Sequence, residues 1–132
     1  MKLYMLDTNT VSHFIRQQPE VTKRIVAAPL TSLCISAVTE GELLYGLAKR
    51  PEAKKLHTLV HEFLKRVDTL PWNMETASVY GKVRAEMEKQ GKVLAPLDMM
   101  IAAHALSAGA ILITNDRAFT QTPKLRVEDW SV

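Results

Sequence analysis

Apolar residues along this chain follow two rhythms: short unbroken runs of strand length, and longer stretches where they recur every three or four positions. Lys2–Leu6 is the first short run; it ends abruptly at Asp7 and reads as a buried strand. Thr8–Gln18 then places Val11, Phe14 and Ile15 at helical spacing, and Pro19 opens a second short helix with Val21, Ile25 and Val26. Leu33–Ser36 is another strand. Thr39 and Glu42 have the capping-box spacing ahead of a helix that carries Leu43, Leu44 and Leu47 to about Arg50. Pro51 restarts a helix through Arg66, and Val67–Leu70 is a third strand. Asn73 caps a long helix that runs to about Gln90 and is ended by Gly91. Pro96 begins the helix Leu97–Ala108, Gly109 stops it, and the apolar run Ala110–Ile113 leads straight into Thr114-Asn115-Asp116. Arg126–Glu128 supplies a last short strand before Trp130.

Strands alternating with helices imply an α/β fold: a three-layer α/β/α sandwich around a central, mostly parallel sheet with right-handed crossovers. No repeat, linker or low-complexity stretch interrupts the pattern, so residues 1–132 read as one domain. That length buries a core without disulfides or a structural metal. The lone cysteine, Cys34, lies in an apolar stretch and excludes both an internal disulfide and a cysteine-based zinc site. No apolar run approaches the roughly 20 residues that span a bilayer. The N-terminal run meets an acid too early for a secretion signal, so a cytoplasmic location is expected. A net charge of +3 only mildly favours a polyanionic partner.

The chemistry lies in the acids. In parallel sheets ligands gather beyond the carboxyl ends of the strands, and Asp7 and Asp116 follow two of those ends. Glu42 and Asp98 are expected in the first turns of their helices, able to reach the same edge. Each has a plainer role open to it: Glu42 as partner of a Thr39 capping box, Asp98 as complement to a helix N-terminus, Asp116 as a turn cap. Four ionised carboxylates in one crevice would repel one another unless protonated or joined by a cation. All-oxygen ligands without clustered histidine or thiolate point to Mg²⁺, with Mn²⁺ as the alternative. A metal so held suits phosphodiester hydrolysis.

Met5-Leu-Asp-Thr-Asn9 resembles the opening signature of PIN domains. Ser36 through Gly46 is similar to their second motif, with Glu42 at the acidic position. Gly91 through Ala105 is similar to the third, Ile111 through Phe119 to the fourth, and Leu125 through Trp130 to the tail. The resemblance is closest to VapC-type toxins of bacterial type II toxin–antitoxin pairs. It implies a Mg²⁺-dependent endoribonuclease in which Asp7, Glu42, Asp98 and Asp116 hold the metal and position the attacking water, leaving 5′-phosphate and 3′-hydroxyl ends. Of the neighbours Asn115 and Asp116, the carboxylate is taken as the metal-facing one.

Thr8, Asn9, Thr114 and Asn115 would support the acids, with a helix cap the plainer role for Thr8 and Asn9. Arg84, Lys92 and Arg117 flank the motifs as candidate RNA contacts, although a solvated charge is the plainer reading for each. Lys49, Arg50, Lys54 and Lys55 read as a solvated helix face. The four histidines form no set. The resemblance further implies a structured RNA substrate (transfer RNA, or a ribosomal RNA loop), a VapB-type antitoxin as partner, and a toxin homodimer. Competing readings are a PIN nuclease without an antitoxin, acting in RNA processing or on DNA structures, and a non-catalytic binding module. A phosphoaspartyl phosphatase is excluded because Asn9 stands where a second aspartate is needed. A receiver domain is excluded because Asp7 has no early acidic neighbour.

Overall fold

The computed structural model describes residues 2–132. Five parallel strands form one sheet in the order β3-β2-β1-β4-β5: β1 Tyr4–Leu6, β2 Leu33–Ser36, β3 Asp68–Leu70, β4 Ile111–Ile113 and β5 Val127–Glu128. Six helices connect them: α1 Thr8–Ile15, α2 Pro19–Ala27, α3 Ala37–Ala48, α4 Lys54–Arg66, α5 Met74–Lys89 and α6 Pro96–Ala108. The expected sandwich is therefore present, with every strand pair parallel.

The period-two alternation of the strands divides the core into two halves. Leu6, Leu33, Ile35, Ile111 and Ile113 join Val11, Val21, Ile25, Leu43, Leu47, Val60 and Phe63 beneath α1–α4. Met5, Cys34 and Leu112 point the other way, into Met87, Met99, Ile101, Ala102 and Ala105 from α5 and α6. A side chain fully buried this way contributes on the order of 2 kcal/mol. The alanine-rich face of α6 lets that helix lie close on the sheet. Trp130 folds back against Tyr4 with ring centroids 5.1 Å apart and covers the far end of the first layer.

Local signals explain most boundaries. Asn73 caps α5 by accepting from the Thr76 amide at 2.9 Å. Gly109 ends α6 in the left-handed conformation, φ 66°, which favours glycine. Three boundaries differ from the sequence expectation, the first being that α1 ends at Ile15 rather than Gln18, with Gln17 at φ 64°. Ser36 rather than Thr39 caps α3, accepting from the Val38 amide at 3.0 Å, so the capping box is absent and Glu42 stands in the second turn of its helix. Pro51 does not start a helix: the chain turns through Pro51–Ala53, where the Ala53 amide bonds Arg50 O at 3.1 Å, and α4 begins at Lys54.

Candidate active site

The sheet order reverses direction between β1 and β4, and a crevice opens beyond their carboxyl ends. Asp7, Thr8, Asn9, Glu42, Asp98 and Asp116 line it, over a floor of Ile101 and Phe119. Its volume is about 90 Å³, ample for an ion with several waters. The four acids arrive from four places: the end of β1, α3, the start of α6 and the turn after β4.

Asp7 is the most enclosed of them, 3% exposed. Its Oδ1 accepts from the Thr10 amide at 2.8 Å, capping α1, while its own amide donates to Ile113 O at 3.1 Å. The Thr10 hydroxyl donates to that same carbonyl at 2.9 Å, so β1, α1 and β4 are fastened together around this carboxylate. Burial pushes the Asp7 carboxyl above its usual range and outweighs hydrogen bonds from Thr114 and Thr10; the charge of Asp116 adds to the rise. The Asp98 carboxyl is also raised, by burial first and then by the charges of Asp116, Glu42 and Asp7. The crevice thus holds mutually repelling acids.

Glu42 reaches the crevice from the second turn of α3 because Thr8 draws it there: the Thr8 hydroxyl donates to Glu42 Oε1 at 2.6 Å. That hydroxyl also lies 3.2 Å from the buried Thr39 hydroxyl. Asp116 caps the short 3-10 turn Arg117–Gln121 through the Ala118 amide at 2.9 Å while lining the crevice, so the turn-cap role and the crevice position coexist. Its amide donates to the Thr114 hydroxyl at 3.0 Å. Asn115 points outward: it is exposed and does not line the crevice.

Of the candidate RNA contacts, Arg84 and Lys92 lie away from the crevice and Arg117 stands at its edge. Arg84 is engaged on its own helix, bonded to Glu88 at 3.0 Å and to the Tyr80 hydroxyl at 2.8 Å. Lys92 shares a shallow crevice with Arg84, Met87 and Pro96, and Arg117 is exposed beside Asp116. Lys49 and Arg50 do not simply face solvent. Together with Arg16 they line a groove between α1, α3 and the start of α4, which also contains Thr8 and Glu42.

A support that spacing could not reveal is His104 on α6. It is 2% exposed, its Nδ1 lies 2.7 Å from Ser36 Oγ, and its ring stands edge-on to Trp72 at 5.5 Å. It ties α6, which carries Asp98, to the cap of α3, which carries Glu42. The other histidines stay apart: His57 Nε2 is bonded to Arg50 O at 2.9 Å, 6.5 Å between ring centroids from His61. Cys34 is buried, its thiol pushed up to about 12 by burial first and the charge of Asp68 second, and it behaves as a core residue.

The parallel sheet with an acid crevice at its switch point defines the class, and a family description, PIN domain, matches residues 4–125: the chain belongs to the PIN-domain family, and within it to the VapC ribonucleases. A Shigella flexneri protein named tRNA(fMet)-specific endonuclease VapC is 37% identical over 132 residues, covering 99% of this chain and 100% of its own. Ribonuclease VapC2 of Haemophilus influenzae is 37% identical, covering 98% and 99%. The DNA-bound VapBC structure from Salmonella typhimurium superposes with a TM-score of 0.90 at 36% identity, covering 98% and 99%.

Proposed function

We propose that the protein is a metal-dependent endoribonuclease acting as the toxin of a type II toxin–antitoxin pair, with a transfer RNA as substrate. The observation that carries the catalytic part is the convergence of Asp7, Glu42, Asp98 and Asp116 on one crevice, where burial and mutual repulsion raise two of the four. Such a set is relieved by a cation. Among the described residues, no three His, Cys, Asp or Glu side chains are arranged to grip an ion directly. The all-oxygen donor set suits Mg²⁺, which takes one or two carboxylates and keeps several waters. Bound there, it supplies Lewis-acid stabilisation of the phosphodiester and an acidified water.

The residues divide the remaining work. Asp7 and Asp98, the two acids whose carboxyls are raised, would hold the ion, with Asp116 reaching it through a bound water, while Glu42, steered by Thr8, would orient the attacking water. Thr114 fixes the spacing of Asp7 and Asp116. The choice of transfer RNA rests on the name of the Shigella relative. The antitoxin partner is supported by the VapBC complex from Salmonella and by an apolar groove of about 420 Å³ between α1, α2 and α4. Val26 and Leu30, 73% and 53% exposed, stand open along it and suit the apolar face of an antitoxin segment.

The test uses antitoxin-free protein with total bacterial RNA and Mg²⁺, beside Asp7→Asn and an EDTA control, with RNA ends mapped by sequencing. Discrete cuts in a transfer RNA, absent from both controls, are the expected result. Identical patterns from wild type and Asp7→Asn would overturn the carboxylate mechanism. No cutting by the folded, antitoxin-free protein would overturn the ribonuclease reading.

A further inference from the structure

We infer that the groove between α1, α3 and the start of α4 is a single-strand track, in which Arg16, Lys49 and Arg50 hold the RNA phosphates on one side of the scissile bond. This rests on the ribonuclease reading above and gives that site a direction. The groove is about 310 Å³ and shares Thr8 and Glu42 with the acid crevice, so a strand leaving the acids continues into it without crossing a wall.

Its charge suits a polyanion. Arg16 closes α1, Lys49 closes α3 and Arg50 follows in the turn; all three are exposed, and among the described residues none is in an ion pair. Three cations elsewhere are matched, Lys65 and Arg66 by Glu62 and Arg84 by Glu88; what sets Arg16, Lys49 and Arg50 apart is that they share one groove that opens on the acid crevice. Among the described residues the only acid in the groove wall is Glu42, itself bonded to Thr8. Lys49 Nζ also lies 4.5 Å over one face of the Tyr45 ring, which is 64% exposed and stands beside the groove rather than in its wall. Unpaired cations beside an open aromatic are the usual equipment for a single strand, which needs phosphate contacts and a surface for a base.

Gly46 completes the shape. It lines the groove from the interior of α3, where glycine weakens a helix, and a Cβ added there meets nothing within 4 Å. The missing side chain leaves the space open.

Binding of a fluorescein-labelled oligouridine to the full chain carrying Asp7→Asn, in Mg²⁺, tests the track. Adding Arg16→Glu, Lys49→Glu and Arg50→Glu together is expected to weaken binding roughly 10- to 100-fold and to flatten its log–log salt dependence by about 2, at about 0.7 per phosphate on a single strand. Gly46→Leu is expected to weaken binding while the Tm stays level or rises. Lys23→Glu, Lys82→Glu and Lys89→Glu together serve as a charge-matched control, expected to stay within about threefold.

The same reversals in the active enzyme should raise KM for the RNA it cuts. If wild type cuts in an Asp7-dependent way but the groove variants keep its KM and salt slope, the track is refuted and the ribonuclease reading stands. If the reversals lower only the Tm, the cations serve the helix C-termini and the track is refuted. If they abolish binding of oligoglutamate but not oligouridine, the groove takes an acidic peptide and the track is equally refuted.

Discussion

The Thr8 hydroxyl donates a 2.6 Å hydrogen bond to Glu42 Oε1, joining residues 34 positions apart at the mouth of the acid crevice. Without it Glu42, on the second turn of its helix, has no partner holding it toward the other acids. Thr8→Val is therefore expected to lower kcat roughly 10- to 100-fold, the usual cost of losing a hydrogen bond that orients a ligand. Thr8→Ser keeps the hydroxyl and should restore most of it. Kinetics of RNA cleavage for both variants decide the matter; equal loss in both would assign Thr8 a packing role.

The crowded acids make a prediction about stability without metal. A carboxyl whose folded pKa is raised binds its proton more tightly when folded. Its stabilising effect is complete below the unfolded value and is lost as pH rises through the folded one. At neutral pH Asp7 and Asp98 therefore weigh against the fold. Asp98→Asn should raise the metal-free Tm by a few degrees, the scale of about 1 kcal/mol for a chain of this size. Thermal melts in EDTA read it directly, and a lowered Tm would contradict the repulsion.

Metal addition should reverse that burden. Saturating Mg²⁺ stabilises the wild type by RT ln(1 + [L]/Kd), about 2.7 kcal/mol at a hundredfold excess over Kd. Because the ion displaces protons from Asp7 and Asp98, its affinity should climb with pH until these raised carboxyls have ionised, above the ordinary aspartate value of about 3.9, and then level off. Calorimetric titrations across that range test the slope, which should be shallower in Asp98→Asn.

His104 has the opposite sign. Burial pushes its pKa below the usual value, against a smaller raising effect from a hydrogen bond to the Pro71 backbone, so the folded protein keeps the ring neutral. Its contribution is present above the unfolded pKa, about 6.5, and is lost as pH falls through the lower folded value. Wild type should lose Tm over that interval more steeply than His104→Gln, compared by melts on either side of it. Parallel curves would show that the ring is not the titrating group.

Much of this is legible in the sequence alone. Strands β1, β2 and β4 announced themselves as apolar runs ending in polar residues, and Gly109 and Asn73 marked helix ends by their own backbone chemistry. The sequence misleads where two explanations share one spacing. Thr39 and Glu42 fit a capping box, yet Ser36 reached the first free amides and left Thr39 in the core beside Thr8. Pro51 suits a first helical position but equally a turn, and the chain needed the turn to bring α4 back along α3. Arg84 could have been discounted from Tyr80 and Glu88, four residues away on either side. The Arg16–Lys49–Arg50 groove and the Ser36–His104 contact could not be read at all. They join residues more than thirty positions apart, which only the assembled sheet brings together.

That assembly also sets a timetable. The first strand made, β1, is the central one, and its neighbour β4 is not synthesised until residue 113. Asp116 follows three residues later. At about 5–20 residues per second, the acid at residue 7 waits several seconds or more for its last companion. A growing chain therefore carries an unfinished blade, and the crevice becomes a full set only once Asp116 has been added.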